Sequence, residues 1–384
     1  MSVGKKVPEI RFERFSGLWY EVALSSVIDI RSGKDYKHLG KGNIPVYGTG
    51  GYMLSVDSAL SKNEDAIGIG RKGTIDKPYI LRAPFWTVDT LFYALPLPSF
   101  NLDFLFCLFQ KIEWKKHDES TGVPSLSKIA INNVLVYVTN ELEQTAIGNI
   151  FKKLDTLINQ HQQKHDKLSN FKKSMLEKMF PKQGKTMPEI RFKGFSGEWK
   201  EKELGELAEI VRGASPRPIE DPKWFDNQSN VGWLRIRDVT EQDGRIHYLE
   251  QRISKLGQEK TRVLHEKHLL LSIAASVGKP VINYVQTGVH DGFLIFKKPL
   301  FELEFMYQWL KSFEAKWQQF GQPGSQVNLN SDIVKSQTVT IPTKEEQIAI
   351  GNYFQKLDDL INRHQQQITK LNTIKQACLS KMFV

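Results

Sequence analysis

Residues 143–161 read EQTAIGNIFKKLDTLINQH, and residues 346–364 read EQIAIGNYFQKLDDLINRH. The match runs on to Lys178-Met179-Phe180 against Lys381-Met382-Phe383, with 23 of 38 positions identical. A second repeat precedes each copy. Pro8-Glu9-Ile10-Arg11-Phe12 returns as Pro188-Glu189-Ile190-Arg191-Phe192, and Phe15-Ser16-Gly17 with Trp19 returns as Phe195-Ser196-Gly197 with Trp199. Between the repeats the two middles differ in sequence, and the second is 23 residues longer. So long a period excludes a solenoid, whose repeats run about 20–50 residues. The chain is a tandem duplication with constant ends and divergent middles. Its repeated parts would build one framework related by a pseudo-two-fold, and its middles would face two targets; drift without functional cause is the alternative.

The repeated C-terminal segments carry a helical seam. Ile147, Phe151, Leu154, Ile158, His161, His165, Leu168, Lys172, Met175 and Met179 alternate in steps of four and three. The second copy places Ile350, Phe354, Leu357, Ile361, His364, Ile368, Leu371, Lys375, Cys378 and Met382 at the same steps. A repeat of 3.5 residues keeps one stripe toward a partner helix. No proline interrupts either segment, and Pro181 ends the first. At 1.5 Å per residue each rod would be about 57 Å long, and two matched rods most simply pair with each other. His161 and His364 fall at equivalent seam positions. They read as spacers that set register, with a metal or catalytic pair as the other reading.

The rest of the chain is ordinary globular material. Its 384 residues suggest two or three domains. Lys and Arg number 53 against 43 Asp and Glu, for a net charge of +10. The excess is diffuse, with its largest share on residues 141–187, so charge alone fits nucleic acid and a solvated helix face equally well. Two cysteines, Cys107 and Cys378, make neither a disulfide framework nor a four-cysteine zinc site, and point to the reducing cytoplasm. No apolar run is long enough to span a bilayer, and the charged start at Lys5-Lys6 suggests no secretory leader.

The middles read as mixed α/β. Strands are expected at Ala66–Ile69, Thr87–Tyr93, Trp233–Ile236, Leu269–Ala274 and Val281–Val285, and helices at Asp103–Lys116 and Glu302–Phe320. Catalytic motifs fail one by one. Gly68-Ile69-Gly70-Arg71-Lys72-Gly73 has the dinucleotide spacing but leads into Pro78 rather than a helix. Gly184-Lys185-Thr186 lacks the first glycine of a phosphate loop, and His265-Glu266-Lys267-His268 spaces its histidines three apart rather than four. No Asn/Asp-Pro-Pro-aromatic segment is present to hold a base for methyl transfer. What remains suits DNA. Arg71, Lys72 and Lys77 lie in a glycine-rich loop where backbone and long cations could approach phosphate. Arg212, Ser215 and Arg217, then Arg235 and Arg237, form a comparable set in the second middle. Gln322, Ser325, Gln326 and Asn328 form an amide-rich loop suited to base edges. Tyr47, Thr74 and Lys279 complete the candidates.

Two variable regions, each followed by this EQxAIGNxFxKLDxLIxxH helix, resemble the specificity subunit of a type I restriction–modification system. Gly70–Ile75 with Pro78-Tyr79, the stretch Pro84–Tyr93, and Ile341-Pro342 leading into Glu346-Gln347 are similar to that family's target recognition domains. The first domain departs with Val138-Thr139 in place of Ile-Pro. The resemblance implies an α/β (α+β) fold of two target recognition domains separated by two long helices in an antiparallel coiled coil. The segments would be 1–142 and 181–342 for the domains, and 143–180 and 343–384 for the helices. It implies further that each domain reads half of a split, asymmetric DNA sequence. The helices would act as ruler and dock two methyltransferase subunits, with restriction subunits adding later. S-adenosylmethionine would belong to the former, ATP and Mg²⁺ to the latter, and neither cofactor nor metal to this non-catalytic chain. A self-sufficient methyltransferase or nuclease, and a coiled-coil scaffold with no DNA role, are the competing classes.

Overall fold

A computed structural model describes residues 7–274, 276–320 and 329–384. The chain forms two compact units: the residues through Gln163 together with His364–Val384, and Lys164–Arg363.

The first unit contains β1 (Tyr20–Ala23), β2 (Ile28–Ser32), β3 (Lys41–Gly48), β4 (Gly51–Val56), β5 (Ala66–Gly70), β6 (Tyr79–Leu81), β7 (Trp86–Thr87), β8 (Leu91–Pro96), α1 (Leu102–Lys111), α2 (Lys128–Asn132) and β9 (Leu135–Val138). It also takes the first part of α3 (Glu141–Met179). An antiparallel sheet runs β2-β8-β5-β6, a smaller one runs β4-β3-β7, and β1 pairs with β9. All of β5 is buried, as are Leu91–Leu95 of β8, so these strands read as unbroken apolar runs rather than alternating ones. Ile67, Ile69, Phe92 and Ala94 share one core with Phe104, Leu108 and Trp114.

The second unit contains β10 (Lys200–Glu203), α4 (Leu204–Leu207), β11 (Glu209–Arg212), β12 (Gly232–Leu234), α5 (Ile236–Glu241), β13 (Arg245–Ile246), α6 (Lys255–Gln258), β14 (Arg262–Leu264), β15 (Leu269–Ser272), β16 (Pro280–Asn283), β17 (Thr287–Val289), β18 (Phe293–Lys297), α7 (Leu303–Phe313), α8 (Ser331–Lys335) and β19 (Thr338–Ile341). The first part of α9 (Lys344–Lys381) follows. Its sheets run β11-β18-β15-β16-β13 and β12-β17-β14, and β10 pairs with β19.

Both units share one scaffold although their middles do not align by sequence. Ile67 faces Ala94 and Ile69 faces Phe92; in the second unit Leu269 faces Phe296 and Leu271 faces Leu294. Ile30 and Ser32 meet Ala94 and Phe92, as Ile210 and Arg212 meet Phe296 and Leu294. The loop after the first sheet strand is also pinned alike. The Gly33 and Lys34 amides bond the Leu91 and Thr87 carbonyls, and those of Gly213 and Ala214 bond Phe293 and Val289. The small sheets differ. β4 lies beside β3 in the first, whereas β14 lies beside β17 in the second, and β13 adds a parallel edge to the larger sheet.

In each unit the long helices run antiparallel. Asp155 pairs with Lys375 at 2.6 Å, while His161, further along α3, meets His364, earlier on α9, with Nδ1 atoms 2.9 Å apart. In the second unit Lys172 pairs with Asp358, and Phe180 stacks on Phe354. All the seam positions are buried or half-buried, including Leu154, Ile158, Leu168, Met175, Ile361 and Leu371.

The repeated sequence now has a physical cause. Arg11 holds Glu143 with Nε and Nη2 and caps the Ser16 and Gly17 carbonyls; Arg191 does the same with Glu346, Ser196 and Gly197. Gln144 and Gln347 each accept from the backbone just ahead of α1 and α7. Gly148 and Gly351 let those helix starts touch: a Cβ would stand 3.0 Å from the Phe104 amide nitrogen, or from that of Phe305. Gly148→Val and Gly351→Val are each expected to lower stability by about 1–3 kcal/mol through overpacking, read as a fall in Tm. An unchanged Tm would show that the helices part freely.

Several expected elements end early. Thr87–Tyr93 is not one strand. Thr87 closes β7 in the small sheet and Leu91 opens β8 in the large one, with the Leu91 amide turning back to the Val88 carbonyl. α1 stops at Lys111 because Ile112 is extended, and Trp114–His117 is a 3₁₀ turn. α7 likewise gives way at Phe313 to a 3₁₀ stretch, Glu314–Phe320. The strand expected over Trp233–Ile236 ends at Leu234, since the Asp238 carboxylate takes the Arg235 amide and starts α5.

Candidate nucleic-acid interface

In the first unit one end of the large sheet gathers three loops. Gly70 admits the turn after β5, since a Cβ there would meet the Thr74 carbonyl oxygen at 2.0 Å. The Arg71 amide bonds Thr90, the Gly73 amide bonds Pro124, and Leu126 donates to the Arg71 carbonyl. The loop is thus fastened on one side to residues 89–90 and on the other to residues 118–126. Asp118 stiffens the latter by accepting from the Ser120 and Ser125 amides. Arg71 and Lys72 are exposed and line a polar cavity of about 830 Å³ with Ser32, Phe92, Ser120, Thr121 and Lys128. No carboxylate pairs with Arg71, Lys72 or Lys128 among the described residues, whereas Arg31 and Arg82 are taken by Asp29 and Asp65. Glu119, also on the cavity wall, accepts from the Ser127 amide. Lys77 is exposed, with no ion pair among the described residues, and Thr74 is half-buried.

Tyr47 lies beside this loop. It packs against Tyr52 and Tyr79, whose hydroxyl donates to the Gly48 carbonyl; burial pushes the Tyr79 phenol well up, so it stays a donor. The β3–β4 turn follows, leaving Tyr52 and Met53 exposed. Thr49 in that turn approaches Gly73.

The second unit treats its candidates differently. Asp291 collects the Ser215 hydroxyl and the Arg217 guanidinium through its carboxylate, and Arg212 Nε through its carbonyl at 2.6 Å. Burial alone would raise the Asp291 carboxyl, but Ser215 and Arg217 together hold it below the usual range. It therefore remains ionised and neutralises Arg217. Arg235 is held by Asp238 and Glu250, and Arg237 by Glu250 and Glu241. Both candidates thus brace α5 through these ion pairs. Lys279 is half-buried at the loop before β16. Gln322, Ser325, Gln326 and Asn328 lie outside the described residues.

Sequence reasoning missed Lys128, Ser32 and the loop from Asp118 to Ser127. They are far from Arg71 along the chain, and only the sheet brings them together. It also missed the Arg11–Glu143 and Arg191–Glu346 clamps, for which the repeat itself was the available signal. Among the described residues no cluster of three or more His, Cys, Asp or Glu is arranged for a metal, and no helix is long and apolar enough to cross a membrane.

Two copies of one sheet scaffold, each leading into a long helix and each carrying its own loop surface, make a two-module recognition scaffold. Comparison with known proteins gives it a family. The model of the type I restriction modification DNA specificity domain matches residues 17–170 and 196–373. The type I restriction enzyme MjaVIII specificity subunit of Methanocaldococcus jannaschii is 23% identical over 331 residues, covering 80% of this chain and 73% of that one. The fold is similar to the crystal structure of the type I S subunit from M. genitalium, with a TM-score of 0.67 at 15% identity over 98% of this chain and 99% of that one. A chain from a study of complex assembly and conformational transition in a type I system gives 0.52 at 16%, over 95% and 97%. This chain belongs to the type I restriction–modification DNA specificity family. In such systems the specificity subunit is the non-catalytic component that recognises DNA.

Proposed function

We propose that each globular domain reads one half of a split, asymmetric duplex sequence, and that the paired helices dock two methyltransferase subunits and set the gap between the halves. Domain 1 would be residues 1–142 and domain 2 residues 181–342, with the helices at 143–180 and 343–384. S-adenosylmethionine then binds the methyltransferase subunits, ATP and Mg²⁺ bind the restriction subunits, and the complex works in the cytoplasm. One observation carries the reading: four strands of the large sheets share their hydrogen-bond register, while the loops and small sheets beside them differ. A common framework with two unlike surfaces suits two unlike half-sites.

The test is to express the chain with its methyltransferase subunits in a methylation-free host and to sequence the modified bases. A single two-part motif with unlike halves is expected. The chain incubated alone with DNA, S-adenosylmethionine, ATP and Mg²⁺ should yield neither methylation nor breaks. A contiguous motif, or either product from the chain alone, would refute the proposal.

A further inference from the structure

The two domains place a guanidinium on the same structural spot from different elements, the loop after β5 and the end of β11. In the first, the Arg71 amide bonds the Thr90 carbonyl, and the Arg71 side chain returns through Nη1 to the Asp89 carbonyl at 3.4 Å, over the Phe92 ring. In the second, the amide bond at the matching place runs from Ile273 to Gly292. No arginine stands there. The sheet register instead makes Arg212 the counterpart of Ser32, and it is Arg212 that reaches the carbonyl of Asp291, the counterpart of Asp89. The donor has moved from the loop after one sheet strand to the end of the strand two places along, while the charge and the carbonyl it leans on have stayed. Both side chains are exposed, and among the described residues neither is paired with a carboxylate.

We infer that Arg71 and Arg212 are equivalent anchors for DNA backbone phosphate, one in each domain. This rests on the reading that both domains bind duplex DNA. What two domains with unlike targets hold in common must meet something that unlike half-sites share, and the phosphate backbone is that feature. A guanidinium steadied by one carbonyl bond keeps further N–H donors for a phosphate oxygen pair. Base reading then falls to parts that differ: in domain 1 the β3–β4 hairpin with exposed Tyr52, in domain 2 the segment from β12 to β14.

The experiment uses the chain assembled with its methyltransferase subunits. Affinity is measured for a duplex carrying the methylated motif and for a scrambled duplex, between about 50 and 200 mM salt. Arg71→Gln and Arg212→Gln should each weaken both duplexes by the same factor and reduce the log–log salt slope by about 0.9. The methylated motif should stay unchanged. Arg71→Lys and Arg212→Lys should restore the slope, and Arg82→Gln, whose arginine is already paired with Asp65, should alter neither quantity. A loss confined to the motif duplex, with one half of the motif relaxed, would make these residues base readers and overturn the assignment. Unchanged affinity and slope would take this face off the DNA. If the unsubstituted complex does not prefer the motif duplex, the DNA-reading proposal fails instead.

Discussion

Asp358→Ala is expected to destabilise the second unit by about 3–5 kcal/mol, the range for breaking a buried ion pair by removing one partner. Asp358 lies buried on α9 and accepts from Lys172 of α3, from Gln308 Nε2 at 2.7 Å and from Arg245 Nη2 at 3.2 Å. Arg245 is itself buried and also donates to Tyr284 and Glu304. Without the carboxylate, two cations remain in the core with one partner fewer. Burial alone would raise the Asp358 carboxyl, but Lys172 and Arg245 together hold it below the ordinary carboxylate range. A depressed folded-state pKa stabilises above the unfolded value and is lost as pH falls through the folded one. The unsubstituted protein should therefore lose stability with acid below the usual carboxylate range, and Asp358→Asn should lose less of it. Hydrogen exchange over residues 236–246 and 344–363 would localise the effect. A change under about 1 kcal/mol would dismiss the network as a stabilising device. The repeat places Asp155 opposite Lys375 in the first unit, but that pair is more exposed and Cys107 stands where Gln308 does. Asp155→Ala should cost about 1 kcal/mol or less.

Exchanging residues 20–140 for the matching segment of another specificity chain should replace one half of the recognised sequence and leave the other intact. Tyr20 and Val138 face each other across β1 and β9, so the ends of the segment are adjacent. The Arg11–Glu143 clamp lies outside it and would hold any guest of the same scaffold. Affinity for the original motif should fall toward the non-specific level, about a thousandfold or more. Both halves changing together, or neither, would defeat the assignment of one reader to each half.

The duplication, the two long helices and their seam were legible because they are local and periodic. Lys178-Met179-Phe180 against Lys381-Met382-Phe383 needs no structure to be seen, and a 3.5-residue stripe states which face is covered. The family resemblance rested first on the same segments, and then on stretches such as Gly70–Ile75 and Pro84–Tyr93 in the middles. The candidate interface was only half legible. Arg71 and Lys72 were found because glycines mark their loop, whereas Lys128 and the loop from Asp118 to Ser127 carry no such mark. For Arg235 and Arg237 the local partners Asp238 and Glu241 are legible in the sequence, but nothing local announces that Glu250 will come within reach of both.

By itself, then, the sequence determined that there are two copies, where their common helices lie and which residues line the seam, since helix periodicity depends on near neighbours. Only the tertiary structure decided that the unlike middles each build the same sheet scaffold, and that Arg71 and Arg212 reach carbonyls at matching places, those of Asp89 and Asp291. Strand pairing joins residues far apart in the chain, and hydrogen bonds between backbones set its register whatever side chains they carry.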